Sequence, residues 1–274
     1  MVDVIAGGTV FPLPLSSVYA FPEDYPYPGE VYAPVWEGTQ RRVPCVAVGG
    51  GPARVLLFHG NGETIVGARE LALRIGAACD ATVYVMEFPG YWKDAGGHAD
   101  VRSAKAVYEA AAQTAAIIAE GGGYHLVGYS LGTALAVRVA KQDAALQPRH
   151  AVQSLTLIAP ICSALSVFAT SPAEGLPPGL RSLMALVKPM LAPLDIFCAE
   201  KDAPFVRAPS AVVFGTHDEV VANSQGARMA TLLHATTRIV AGAGHCDIQG
   251  NHSALAFIGA HITEHCGAYK SDVN

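Results

Sequence analysis

The chain has 274 residues, of which 51% are hydrophobic and only 15% charged, a balance that describes a well-buried globular protein and excludes a disordered or fibrous one. A formal charge of −5 with no Lys/Arg cluster argues against a nucleic-acid partner. No uninterrupted apolar stretch is long enough to span a bilayer.

The first basic residue is Arg41, and prolines at 12 and 14 break the apolar run near the start, so residues 1–30 do not read as a signal peptide. Residues 9–34 are crowded with Pro, Tyr and Phe and predict an extended segment rather than a helix, because proline removes donors and fixes φ. Val31 to Trp36 and Arg42 to Val48 are candidate antiparallel strands. From residue 53 the pattern becomes regular. Arg54 to Phe58 is a short continuous apolar run, as a strand buried on both faces should be. Glu63 to Cys79 has helical spacing, Thr82 to Phe88 is the next strand, and Asp100 is a good N-cap for an Ala-rich helix running to about Glu120. The strand at Tyr124, the helix from Thr133 to Lys141 and the strand Ser154 to Ala159 follow. Strands alternating with helices of this length predict right-handed βαβ units in one mostly parallel sheet.

Residues 161–208 interrupt the alternation with seven prolines between 172 and 208 or just beyond, and with one plausible helix, Leu180 to Leu191, rich in Leu and Met. An apolar insertion between two strands predicts a small lid. The alternation then resumes with a strand at Ala211 to Phe214, a helix at Asn223 to His234, a strand at Thr237 to Val240 and a helix at Ser253 to His265. The expected organisation is one α/β domain over 1–274, with 1–52 as an extended segment plus first strands and 161–208 as the lid.

The chemistry is concentrated in Gly128-Tyr129-Ser130-Leu131-Gly132, where an apolar strand meets a helix. A serine at the apex of a sharp strand–helix turn, with glycine two residues to either side, is the arrangement of a nucleophile elbow. Serine is a poor nucleophile unless a base takes its proton, and the base needs an anion to hold its tautomer. Such an elbow therefore requires an acid and then a histidine on loops after later strands. The strand at Ala211 leads into Gly215-Thr216-His217-Asp218-Glu219, and the strand at Thr237 into Ala241-Gly242-Ala243-Gly244-His245-Cys246-Asp247. Asp218 and His245 stand in the required places. Glu219 and Asp247 are neighbouring alternatives for the acid, and Asp247 is also placed to line the mouth of the site. Tetrahedral intermediates need two aimed N–H groups. One is expected from Leu131, the residue after the nucleophile. The other is expected from Asn61 in His59-Gly60-Asn61-Gly62, with His59 bracing that loop rather than acting as a base. Tyr129, Tyr91, Asp247, Met184 and Met190 are candidate substrate contacts.

Together with Phe88-Pro89-Gly90-Tyr91, these motifs resemble the α/β-hydrolase superfamily over roughly residues 53–266. Within it the chain is similar to small abhydrolase-domain serine hydrolases, a group that includes protein depalmitoylases and prolyl-oligopeptidase-like peptidases. The resemblance implies the α/β-hydrolase fold, a mostly parallel twisted sheet flanked by helices. It departs from the depalmitoylases in having no cysteine in residues 1–44, so at most peripheral membrane contact is expected. It departs from prolyl oligopeptidases in lacking their Gly-Gly-Ser-Tyr-Gly-Gly elbow.

The expected activity is hydrolysis of an ester or thioester of an acyl group through an acyl-enzyme, on a small-molecule or acyl-protein substrate. A serine exopeptidase or amidase with the same residues is the alternative, and a silent binding protein on the same fold is the rival from another class. No cofactor and no metal are expected. The six cysteines (45, 79, 162, 198, 246 and 266) are scattered, with no C-x-x-C pair, which suits a reducing compartment and a cytoplasmic location.

Overall fold

The computed structural model describes residues 45–89, 104–144, 152–170 and 197–267, with the backbone of three short strands, Tyr19–Ala20 (β1), Val31–Tyr32 (β2) and Trp92–Lys93 (β6). The expected helix Leu180 to Leu191, and with it most of the lid, lies outside the described residues, as do Asp100, Tyr91, Met184 and Met190.

The remaining strands are Cys45–Gly49 (β3), Ala53–Phe58 (β4), Ala81–Met86 (β5), Tyr124–Tyr129 (β7), Val152–Ile158 (β8), Ser210–Gly215 (β9) and Thr236–Val240 (β10). They form an eight-stranded sheet in the order β10-β9-β8-β7-β4-β5-β3-β2. Pairing is parallel from β10 to β5 and antiparallel at β5–β3 and β3–β2. The mostly parallel sheet and the antiparallel opening pair are as the sequence pattern predicts. β1 pairs in parallel with β6, and two-residue strands of this kind carry no readable period in the sequence.

The helices are Ile65–Cys79 (α1), Ala104–Ala119 (α2), Gly132–Asp143 (α3), Ala164–Thr170 (α4), Ala199–Asp202 (α5), Asn223–Leu232 (α6) and His252–His265 (α7). α1 begins two residues later than its apolar spacing suggests, because Thr64 in extended conformation caps it by accepting the Gly67 N–H. Asn251 caps α7 in the same way, accepting the N–H groups of Ser253 and Ala254.

Strand alternation splits the interior into two cores, one on each face of the sheet. Leu56 and Phe58 of β4 and Leu126 of β7 pack with α2 and α3 in one core. Val55, Leu57 and Val127, one residue out of phase, pack with α1 and α7 in the other. All six residues of β7 and of β9 are buried, which is why these strands read as unbroken apolar runs. Covering both faces leaves loops free only at the strand ends. In parallel α/β sheets the carboxyl edge is where ligand sites form. Here β4, β5, β7, β9 and β10 deliver His59, Glu87, Ser130, Asp218 and His245 to that one edge.

Candidate active site

Ser130 follows β7 directly and has φ of +51°, a left-handed conformation that costs a non-glycine residue about 1–2 kcal/mol. The surrounding packing holds it there. A Cβ on Gly128 would lie 2.6 Å from the Gly132 carbonyl oxygen and from Thr133 Cα, and one on Gly132 would lie 2.1 Å from the Phe58 carbonyl oxygen. Neither distance is physically possible, so glycine at both positions is a steric requirement of a strand, a helix and the neighbouring strand end meeting at one point. The Ser130 N–H is secured on the Ile158 carbonyl at 2.9 Å. Thr133, fully buried in the first turn of α3, donates through Oγ1 to the Ser130 carbonyl (2.5 Å) and accepts the Ile161 N–H (3.3 Å).

The loops after β9 and β10 bring the expected partners to this serine. His245 Nε2 lies 3.0 Å from Ser130 Oγ, and His245 Nδ1 donates to Asp218 Oδ2 at 2.8 Å. Because Nδ1 carries the proton toward the carboxylate, Nε2 presents its lone pair to the serine hydroxyl. Asp218 is aimed from behind: its other oxygen accepts the N–H groups of Val220 (2.9 Å) and Val221 (2.7 Å). Ser130, Asp218 and His245 are 9%, 7% and 6% exposed, so the chain of hydrogen bonds is shielded from solvent. The two alternative acids sit elsewhere. Asp247 is exposed and accepts the Gly244 N–H at 3.3 Å, and Glu219 is exposed beside the same glycine, its Oε2 3.0 Å from where a Cβ on Gly244 would lie. Tyr129 is buried beneath the histidine, with ring centroids 5.3 Å apart and its hydroxyl donating to the His245 carbonyl at 3.2 Å.

The loop after β4 carries Asn61, which is exposed, between Gly60 and Gly62. Leu131 is the N-cap residue of α3, at the positive end of the helix, where the first N–H groups have no intrahelical acceptor. His59 is fully buried. Its Nδ1 donates to the Gly60 carbonyl (2.9 Å) and its Nε2 to Glu87 Oε1 (3.1 Å), while its ring stacks on Phe88 with centroids 3.9 Å apart. Burial is the largest single influence on this imidazole and opposes its charged form. The hydrogen bond and charge of Glu87, the charge of Glu63 and the Gly60 carbonyl together outweigh it and raise the His59 pKa. His59 therefore braces the loop, as expected.

Glu87 and Thr133 are site residues that sequence reasoning missed. The signal for Glu87 was present: a single acidic residue at the end of the apolar run Val83 to Phe88 has to be buried with a partner. Thr133 gave no such signal, since a threonine in the first turn of a helix is common. Among the described residues, one group of metal-capable side chains is compact: His261, Glu264 and His265 on the last turns of α7, with candidate ligand atoms within 4.8 Å of one another. There His265 Nδ1 already donates to the His261 carbonyl at 2.8 Å. No helix among the described residues is long and apolar enough to cross a membrane.

The fold recurs in solved structures. The thermophilic carboxylesterase EstE1, cloned from a metagenomic library, is 17% identical, with 96% of this chain and 95% of that one covered at a TM-score of 0.63. An esterase from Pyrobaculum calidifontis has the same identity and TM-score over 96% and 90%. A monoacylglycerol lipase from Paleococcus ferrophilus is 20% identical over 80% of this chain and 99% of that one, at a TM-score of 0.55. No curated protein matches the sequence. A sequence profile described as the alpha/beta hydrolase family matches residues 55–256, from β4 into the start of α7. With that match running across the elbow and both of the loops that meet it, the chain belongs to the alpha/beta hydrolase family.

Proposed function

We propose that the protein is a cofactor-free serine hydrolase that cleaves an ester or thioester of an acyl group through an acyl-enzyme intermediate. The observation that carries this reading is the unbroken line from Ser130 Oγ through His245 to Asp218, with steps of 3.0 and 2.8 Å, at the apex of a strained elbow. Ser130 Oγ attacks the acyl carbonyl as His245 Nε2 takes its proton, and Asp218 stabilises the imidazolium that forms. His245 then gives that proton to the departing alcohol or thiol, and a water activated the same way releases the acid. The N–H groups of Leu131 and Asn61 receive the developing oxyanion, each contributing about 3–4 kcal/mol to transition-state stabilisation. Tyr129 and Asp247 line the base and mouth of the site. The substrate is a small acyl ester or an acylated protein met in the cytoplasm.

The test is a panel of p-nitrophenyl esters of graded chain length, run beside acyl-thioesters and aminoacyl anilides, together with fluorophosphonate labelling. Turnover of esters or thioesters with labelling at Ser130 is expected. Turnover confined to the anilides would replace the esterase reading with a peptidase one. The absence of both turnover and labelling would overturn the mechanism.

A further inference from the structure

We infer that Glu87 is a positioning residue for the oxyanion loop, one carboxylate fastening both ends of residues 59–65. The inference rests on the hydrolase reading, which assigns the second oxyanion donor to that loop.

The loop needs an outside restraint. Asn61 is exposed and Gly62 has φ of +74°, so the direction of the Asn61 N–H depends on how the ends of the loop are anchored. An oxyanion donor has to be placed to within about 0.5 Å to be effective. Glu87, the first residue after β5, is fully buried and lies beside the end of β4 because the two strands are parallel neighbours. Its Oε1 accepts from His59 Nε2 (3.1 Å) and from the Phe88 N–H (2.9 Å). Its Oε2 accepts the N–H of Ile65 (3.1 Å), the first residue of α1. His59 opens the loop and Ile65 closes it. Inside this frame the Gly60 N–H is held by Glu63 Oε2 at 2.9 Å, and the Gly60 carbonyl by His59 Nδ1. The carboxylate also sits at the positive end of α1, where a negative charge is favoured. A neutral amide at position 87 would keep the volume but would present an N–H₂ group toward donors and remove the charge that faces His59 Nε2.

A positioning role makes a prediction that mere stability does not. Glu87→Gln should lower kcat by about 10- to 100-fold while KM stays within about threefold, because the interaction lost is one made in the transition state. The affinity of an alkylboronic acid, which forms a tetrahedral adduct on a reactive serine and places an oxygen where the oxyanion develops, should weaken in parallel with kcat. Two substitutions at His59 separate the arms of the clamp. His59→Gln keeps a donor near the Nε2 position, facing Glu87, whereas His59→Asn keeps one near Nδ1, facing Gly60. The glutamine variant should retain more activity and tighter boronate binding than the asparagine variant. Should Glu87→Gln fail to fold, this pair carries the test alone. A lowered melting temperature with kcat and boronate affinity unchanged in Glu87→Gln would overturn the inference, as would the reverse ranking at His59. Wild-type protein that neither reacts with a fluorophosphonate nor binds the boronate would instead sink the hydrolase reading, and the clamp with it.

Discussion

The elbow and the loop after β4 meet at one contact, where Gly132 abuts the backbone of Phe58 and His59, yet they are held by opposite means. The elbow is fixed by packing. Strand β7 is wholly buried, α3 follows within two residues, and Gly128 and Gly132 have no space for even a methyl group. The loop is fixed by polar bonds: a buried imidazole, a buried carboxylate and a row of backbone N–H groups, with Asn61 itself exposed. The first arrangement tolerates no added atom. The second tolerates no lost charge. Under the proposed mechanism, a nucleophile in a strained backbone region benefits from surroundings that cannot relax, while a loop that donates to a substrate oxygen needs direction at its ends and clearance in its middle.

The largest effect tests the elbow's purpose. Ser130→Ala leaves the packing intact and should reduce kcat by about 10⁴–10⁶, with complete loss of fluorophosphonate labelling. Retained turnover in steady-state assays would show that the strained serine serves some other end. Next is the support behind the base. Asp218→Asn should cost about 10⁴ in kcat by favouring the wrong histidine tautomer, while Asp247→Asn should stay within about tenfold. Equal losses from the two variants would mean that the 2.8 Å contact to His245 does not decide the acid.

The packing side of the comparison is broken by a single methyl group. Gly132→Ala should destabilise the protein by at least about 3 kcal/mol or prevent folding, whereas Gly250→Ala, whose Cβ would meet nothing within 4 Å, should change stability by less than about 0.5 kcal/mol. Chemical denaturation of both variants measures the contrast, and similar midpoints would refute a steric elbow.

The smallest effect is electrostatic and belongs to the loop. The folded-state pKa of His59 is raised, so its pairing stabilises the fold fully below the unfolded value of about 6.5 and loses that contribution as pH rises through the folded value. The stability gap between wild type and His59→Gln should therefore be widest at mildly acidic pH and shrink on the alkaline side. Melting temperatures of both proteins across the same pH series check this, and a gap that widens with rising pH would contradict a charged His59–Glu87 pair.

What the sequence by itself determined is the part written in local chemistry. Apolar runs of strand length separated by helical spacing dictate an α/β sheet whatever the details of packing, and the succession of β4, β5, β7, β8, β9 and β10 along the chain could be read from those runs alone. The Gly-x-Ser-x-Gly turn, and an acid and a histidine each placed just past its own strand, are legible because an elbow and its partners impose residue types at short range. The tertiary structure decided what depends on residues far apart in the chain. Three carboxylates stood near the two loops, and only the turn that hands the Val220 and Val221 N–H groups to Asp218 aims that one at His245. The same holds for Glu87, 28 residues from His59 in sequence and a hydrogen bond away in space, and for Thr133, which ties the elbow to the loop after β8. A hydrogen bond has direction and a reach of about 3 Å, and sequence spacing conveys neither across a parallel sheet whose neighbouring strands are separated by whole helices.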